Sequence, residues 1–141
     1  MSLPFPDLTP DHIHPMLVNF TSALIPVSVA SDAAGRIFRK SSLHAAAWWM
    51  LVYATVLTPL TSLAGLWWKQ KLHDTLPKDQ ITEHLWLGVG LTVAFIVLLV
   101  WRRASYRKSE APSFAYFAFG ILTIVALLIQ GALGGNMVFG G

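Results

Sequence analysis

Residues 85–100 read LWLGVGLTVAFIVLLV and contain no charged side chain. At a rise of about 1.5 Å per residue, a helix over this run and its flanks is long enough to cross the hydrocarbon core of a membrane, about 30 Å thick. Arg102 and Arg103 follow and end the apolar run. The segment therefore predicts a transmembrane helix that opens near Pro77 and reaches about Trp101.

Three further apolar segments have the same character. Together with the first they predict four spans: residues 14–31, 42–68, 77–101 and 113–133. Pro15 suits the first turn of a helix, where its missing N–H costs no hydrogen bond, and Gly134–Gly135 suits a helix end. With no segment long enough for a soluble domain, we predict a single domain over residues 1–141. Its fold class is all-α, an integral membrane four-helix bundle with up-down-up-down topology.

The composition agrees with a membrane protein. The hydrophobic fraction is 55%, the charged fraction is 12% and the mean hydropathy is +0.57, so part of the apolar surface must face lipid. The sequence pI of about 9.5 raises the possibility of nucleic-acid binding. The basic residues, however, lie in short clusters beside the apolar runs and form no continuous basic face, so no nucleic-acid partner is predicted.

The basic clusters predict an orientation. Seven of the ten Lys and Arg residues lie at positions 36–40 and 102–108, between spans one and two and between spans three and four. The positive-inside rule places these loops in the cytoplasm and both termini outside. We therefore predict a multi-pass protein of a bacterial inner membrane with periplasmic termini. The six tryptophans lie near span ends, where interfacial indoles are expected.

Polar residues recur along one face of several spans. Because a polar group facing hydrocarbon is costly, these faces should point into the bundle. They comprise His14, Thr21, Ser28 and Asp32 on the first span, His44, Trp48, Thr55, Thr58 and Ser62 on the second, and Tyr116, Gly120, Thr123 and Gln130 on the fourth. Asp32 is expected at the cytoplasmic interface, paired with Arg36. No internal repeat is evident.

The histidines are the main candidates for a site. His14 and His84 begin spans one and three and should lie at the same outer end, with His12 and His73 in flanking segments, whereas His44 lies at the other end. Gly88 follows His84 by one turn and would let a flat macrocycle approach the helix. The pattern is compatible with axial ligation of a b-type haem by His14 and His84, with Thr21 lining the site.

Two other interpretations remain open. The same two histidines are equally compatible with a divalent metal site, or with interfacial imidazoles that bond water and backbone. The absence of cysteine excludes disulfides, thiolate catalysis and covalent c-type haem attachment. Because no hydrolytic or nucleotide-binding motif occurs, any enzymatic activity should be electron transfer.

The run Asp11 to Leu24, DHIHPMLVNFTSAL, followed by Asp32, resembles the start of the bacterial membrane family DUF2231, which opens with a pattern like I-H-P-x-x-V-H-F-P-I-A-L. The resemblance extends over the whole chain. His84 opens the third span as in the family, and the segment 131–138 matches the pattern with which the family sequence closes. It implies a redox setting and membrane haem, because members occur fused to or beside Rieske and cytochrome domains. Asn19 stands where the family has its second histidine, and Thr21 where it has a proline.

The leading hypothesis is a small membrane electron-transfer protein or redox-complex subunit, which passes electrons between a periplasmic partner and the quinone pool or another haem. A second hypothesis is a cofactor-free structural or assembly subunit of a larger membrane complex. The third is a metal- or proton-handling membrane protein that uses Asp32, Gln130 and the histidines.

Overall fold

The computed structural model describes residues 9–72, 78–108 and 110–139, and it contains four long helices. They are α1 (Pro10–Phe38), α2 (Ser41–Leu72), α3 (Lys78–Arg107) and α4 (Phe114–Phe139). All four are long and apolar enough to cross a membrane, and the described residues contain no strand. The predicted fold class, an all-α membrane four-helix bundle, is therefore confirmed.

Local sequence explains where α1 begins and ends. Thr9 has an extended backbone, and Pro10 opens the helix without leaving a free N–H. Arg39 adopts the left-handed conformation, with φ of 54°, and its backbone N–H bonds the Gly35 carbonyl. This tight turn allows α2 to start at Ser41, so α1 and α2 form a close antiparallel hairpin.

The helices form a ring in chain order. Among the described residues, backbone contacts between helices join α1 to α2, α2 to α3, α3 to α4 and α4 to α1. The diagonal pairs, α1 with α3 and α2 with α4, make no such backbone contact within the described ranges and meet through side chains that point into the bundle. At one end α1 and α3 begin while α2 and α4 end, and we call this the histidine end. We call the opposite end, where α1 and α3 finish, the ion-pair end.

An apolar cluster fills the centre of the bundle. It consists of buried residues from all four helices: Ile25, Leu51, Ala54, Leu91, Phe95, Leu98 and Tyr116. Many large apolar side chains remain on the outside, Phe114 and Trp86 among them. Their exposure is the pattern expected of helices whose outer faces contact lipid.

The hairpin of α1 and α2 and the hairpin of α3 and α4 bury residues at equivalent positions. Each buried position of α3 lies 70 residues after a buried position of α1, the spacing that separates Asp32 from Arg102. The pairs are Thr21 and Leu91, Ile25 and Phe95, Ser28 and Leu98, and Asp32 and Arg102. The second helices of the hairpins show the same relation with a spacing of 69 residues. Each buried residue of α4 lies 69 residues after a buried residue of α2, and the pairs are Ala47 and Tyr116, Leu51 and Gly120, and Ala54 and Thr123. The bundle thus repeats one hairpin pattern twice in the same direction.

Candidate functional site

His14 and His84 meet across the histidine end. They lie on the diagonal helices α1 and α3, with ring centroids 6.4 Å apart and ring planes at 78°. Both positions are half-buried. His84 follows His14 by 70 residues, the spacing that relates the buried positions of α1 and α3. The two imidazoles therefore occupy equivalent places in the two hairpins.

His14 is fixed by the second helix of its own hairpin. Its Nδ1 lies 2.9 Å from the backbone carbonyl oxygen of Thr61, which only accepts, so Nδ1 carries the proton and donates. The ring packs against Gly65, one turn further along α2, and beside Trp68 at 5.8 Å between centroids. Nε2 of His14 has no hydrogen-bond partner among the residues that the structure describes.

The close approach at Gly65 makes a testable prediction. A methyl group there would lie 2.9 Å from Cε1 of His14, so Gly65→Ala must push the ring away from the Thr61 carbonyl. We expect a loss of about 1–3 kcal/mol in the free energy of unfolding, measured in detergent micelles. Gly131→Ala is the matched control, because its methyl would have no neighbour within 4 Å. Equal stability of the two variants would contradict the packing role of Gly65.

His84 is held by the second helix of the other hairpin, but in a different way. The side-chain Nε2 of Gln130 donates to the His84 backbone carbonyl at 3.0 Å and lies 3.1 Å from the ring Nε2. The ring packs against Gly134, where a Cβ would lie 3.1 Å from Cε1. Two buried atoms, Nδ1 of His84 and Oε1 of Gln130, have no hydrogen-bond partner among the described residues.

The other two residues assigned to the site from the sequence also lie here. Thr21 is buried, and its hydroxyl donates to the carbonyls of Leu17 and Val18 on its own helix. Gly88 faces the amide of Gln130, whose Nε2 would lie 3.2 Å from an added Cβ. In this structure the space beside Gly88 therefore accommodates Gln130, and the predicted role of Gly88 toward a macrocycle stays a prediction.

A cavity of about 410 Å³ surrounds the two imidazoles. All four helices line it, and its surface is mainly apolar, with Leu91 and Phe95 of the central cluster at its inner end. Its size is in the range of small-molecule and cofactor sites. The cavity combines apolar walls with a few convergent polar groups, the usual composition of such sites.

Metal donors at this end are few. His12 is exposed in the first turn of α1, and its Nδ1 lies 2.9 Å from the Thr9 hydroxyl. His73 lies outside the described residues. Within the described ranges, no group of three or more His, Asp or Glu side chains is placed to hold a metal ion. The assignment of His14 and His84 as metal ligands stays a prediction.

The ion-pair end holds a buried charge cluster. Asp32 is 0% exposed and Arg102 is 1% exposed. Arg102 donates two hydrogen bonds to the carboxylate, from Nε at 2.7 Å and from Nη2 at 2.8 Å. His44 of α2 lies 2.7 Å from the same carboxylate through Nδ1. The pair joins α1 to α3 across the bundle, as the histidines do at the other end.

This cluster corrects the expected partner of Asp32. Arg36, the predicted partner, instead donates to the carbonyl of Pro112 at 3.0 Å and lies 4.5 Å above the Phe114 ring. Arg102 had been counted as a loop residue that ends the third span, but α3 continues to Arg107 and buries it. A carboxylate inside the bundle needs an inward-facing cation, and Arg102 faces inward whereas Arg36 faces outward.

Fold and site together define a multi-span membrane protein, a helical bundle with an apolar, histidine-bearing cavity at one end and a buried ion pair at the other. The chain belongs to the family described as "Predicted membrane protein (DUF2231)", which matches residues 10–141. The resemblance read from the His14 segment is thereby confirmed. Comparison with curated proteins and with solved structures gives no match.

Proposed function

We propose that this membrane protein is a small electron-transfer protein or redox-complex subunit that holds one b-type haem in the cavity, with His14 and His84 as axial ligands. The observation that carries the proposal is the separation of the two rings. A metal–imidazole bond is about 2 Å long, so two imidazoles that bound one metal from opposite sides would have their centroids roughly 6 Å apart. The observed centroid distance is 6.4 Å.

The donor chemistry around His14 fits this group. A metal-binding histidine usually donates its second ring N–H to a carbonyl or carboxylate, which fixes the tautomer. His14 donates Nδ1–H to the Thr61 carbonyl, and its Nε2 has no hydrogen-bond partner among the described residues. The apolar walls suit a macrocycle, and the Thr21 hydroxyl is already bonded to its own helix, which leaves its methyl group for apolar contact. Bound haem would supply a one-electron iron couple.

The charge distribution supports a location and a partner. The basic residues at positions 36–40 and 103–108 lie at the ion-pair end, in addition to the buried Arg102. The positive-inside rule then places this end in the cytoplasm and the histidine end toward the periplasm of a bacterial inner membrane. A periplasmic redox protein, or a quinone that enters from the bilayer, is the partner that could exchange electrons there.

The arrangement favours this function over a proton path. Ile25 on α1 and Phe95 on α3 belong to the apolar cluster between the cavity and Asp32. Asp32 lies 18 residues beyond His14 on the same helix, a distance of about 27 Å. Protons would need a chain of polar groups or water over that distance, whereas an electron-transfer site at the histidine end does not require one.

An optical spectrum tests the proposal. The protein is expressed with ample haem supply, purified in detergent and examined for a Soret band and by a pyridine haemochrome assay. We expect one b-type haem per chain. A folded, colourless protein would overturn the proposal and favour the cofactor-free assembly role, in which deletion of the chain should release subunits from a larger membrane complex.

A further inference from the structure

We infer that Gln130 gates the cavity: its carboxamide holds the Nε2 atom of His84, and it must turn away before that nitrogen can bind iron. The inference rests on the proposed function and adds a residue that controls entry of the ligand. Its basis is the difference between two otherwise equivalent histidines.

The orientation of the Gln130 amide follows from hydrogen-bond chemistry. A backbone carbonyl only accepts, so the group 3.0 Å from the His84 carbonyl must be the amide nitrogen. The same NH₂ group lies 3.1 Å from the ring Nε2, which therefore accepts its second hydrogen. This assigns the ring proton of His84 to Nδ1 and occupies the nitrogen that a metal would use.

The corresponding position in the first hairpin does not block its histidine. Gln130 precedes Gly134 by one turn, and Thr61 precedes Gly65 by one turn. The Thr61 hydroxyl donates to the Leu57 carbonyl on its own helix, and within the described ranges His14 bonds the Thr61 backbone alone. One histidine is thus ready to bind a metal, and its equivalent is held by a neighbouring side chain.

The contact between Gln130 and His84 leaves other polar atoms of both side chains without a partner in the part of the chain that the structure describes. Nδ1 of His84 and Oε1 of Gln130 are both buried without a partner among the described residues. Buried polar groups are costly when unpaired, which limits how strongly this contact holds His84. Movement of Gln130 from Nε2 would release the ring and allow its oxygen to reach a new donor.

Hemin titration of the ligand-free protein in detergent tests the gate. Gln130→Ala should bind hemin about tenfold faster and more tightly than the wild type, because no hydrogen bond at Nε2 has to break. Thr123→Ala is the matched control on the same helix and should bind as the wild type does, since the Thr123 hydroxyl donates to the Phe119 carbonyl of α4 and the residue does not line the cavity. A wild-type association rate in Gln130→Ala would overturn the inference.

A second measurement does not depend on hemin. In protein labelled with ¹⁵N-histidine, the imidazole of His84 should be protonated at Nδ1, and Gln130→Ala should shift its ring ¹⁵N resonances while those of His14 stay unchanged. If the wild type binds no hemin, the proposed function fails, and the ¹⁵N spectra still decide whether Gln130 holds His84. Unchanged His84 resonances in Gln130→Ala would contradict the inference on Gln130 and leave the proposed function unaffected.

Discussion

Asp32→Ala is expected to lower the free energy of unfolding by about 3–5 kcal/mol, because it leaves Arg102 charged and buried without a carboxylate. Both hydrogen bonds from Arg102 to Asp32 would be lost. The Tyr106 ring lies 5.6 Å from the guanidinium and carries no charge that could replace the carboxylate. An unpaired cation within a bundle that spans a membrane is among the most destabilising local defects.

Reversible unfolding in mixed micelles gives the measurement, and charge exchange gives the strongest control. Positions 32 and 102 are equivalent in the two hairpins, so Asp32→Arg combined with Arg102→Asp should regain more than half of the stability that either single change loses. Asp79→Ala removes an exposed carboxylate from the first turn of α3 and should change stability by less than about 0.5 kcal/mol. An Asp32→Ala variant as stable as Asp79→Ala would contradict the assigned role of the pair.

The helices and their number could be predicted because the bilayer imposes a length on every apolar run. The segment 85–100 alone demands a helix, since a lipid-exposed backbone must satisfy its own hydrogen bonds. The meeting of His14 and His84 follows from the same constraint, because both open helices that enter the bundle from one end. All four helices nevertheless extend past the predicted span ends, because a helix does not stop where its apolar run stops. In chain order they reach Phe38, Leu72, Arg107 and Phe139. Gly134–Gly135 therefore does not end α4, contrary to the prediction from the sequence.

The inward role of Arg102 was missed because charge counting treats every cation at a span end as a topology signal. A signal was present in the spacing. The buried positions of α3 run Leu91, Phe95, Leu98 and Arg102, and they repeat the spacing of Thr21, Ile25, Ser28 and Asp32. The side chains differ in nearly every pair, so identity-based comparison does not detect the repeat, whereas comparison of which positions face inward does.

The carboxamide contact at His84 could not be predicted from one sequence. Gln130 was placed on an inward face, but two residues on different helices meet only if the helices have one particular rotation and vertical offset. Those quantities depend on the packing of all four helices. The neighbour of Gly88 depends on the same packing. The sequence predicts that Gly88 leaves space for a cofactor, and in the structure the Gln130 amide lies beside it.

The proposed haem site makes a second prediction: His14→Ala and His84→Ala should each lower haem content by at least about tenfold, since loss of a metal ligand should cost at least as much as loss of the groups that orient it. Any haem that stays bound should lose the low-spin spectrum of two axial histidines. Pyridine haemochrome content and the Soret position of the purified variants give the measurement.

Matched histidine variants separate ligation from folding. His44→Ala removes an imidazole at the ion-pair end, and His12→Ala removes an exposed one near His14; both should keep the full haem content. Free imidazole added to His84→Ala should restore part of the low-spin spectrum, because the vacated space beside Gly134 can admit it. Retention of the wild-type spectrum in either single variant would exclude that histidine as an axial ligand, because no other described side chain at this end offers an imidazole inside the cavity.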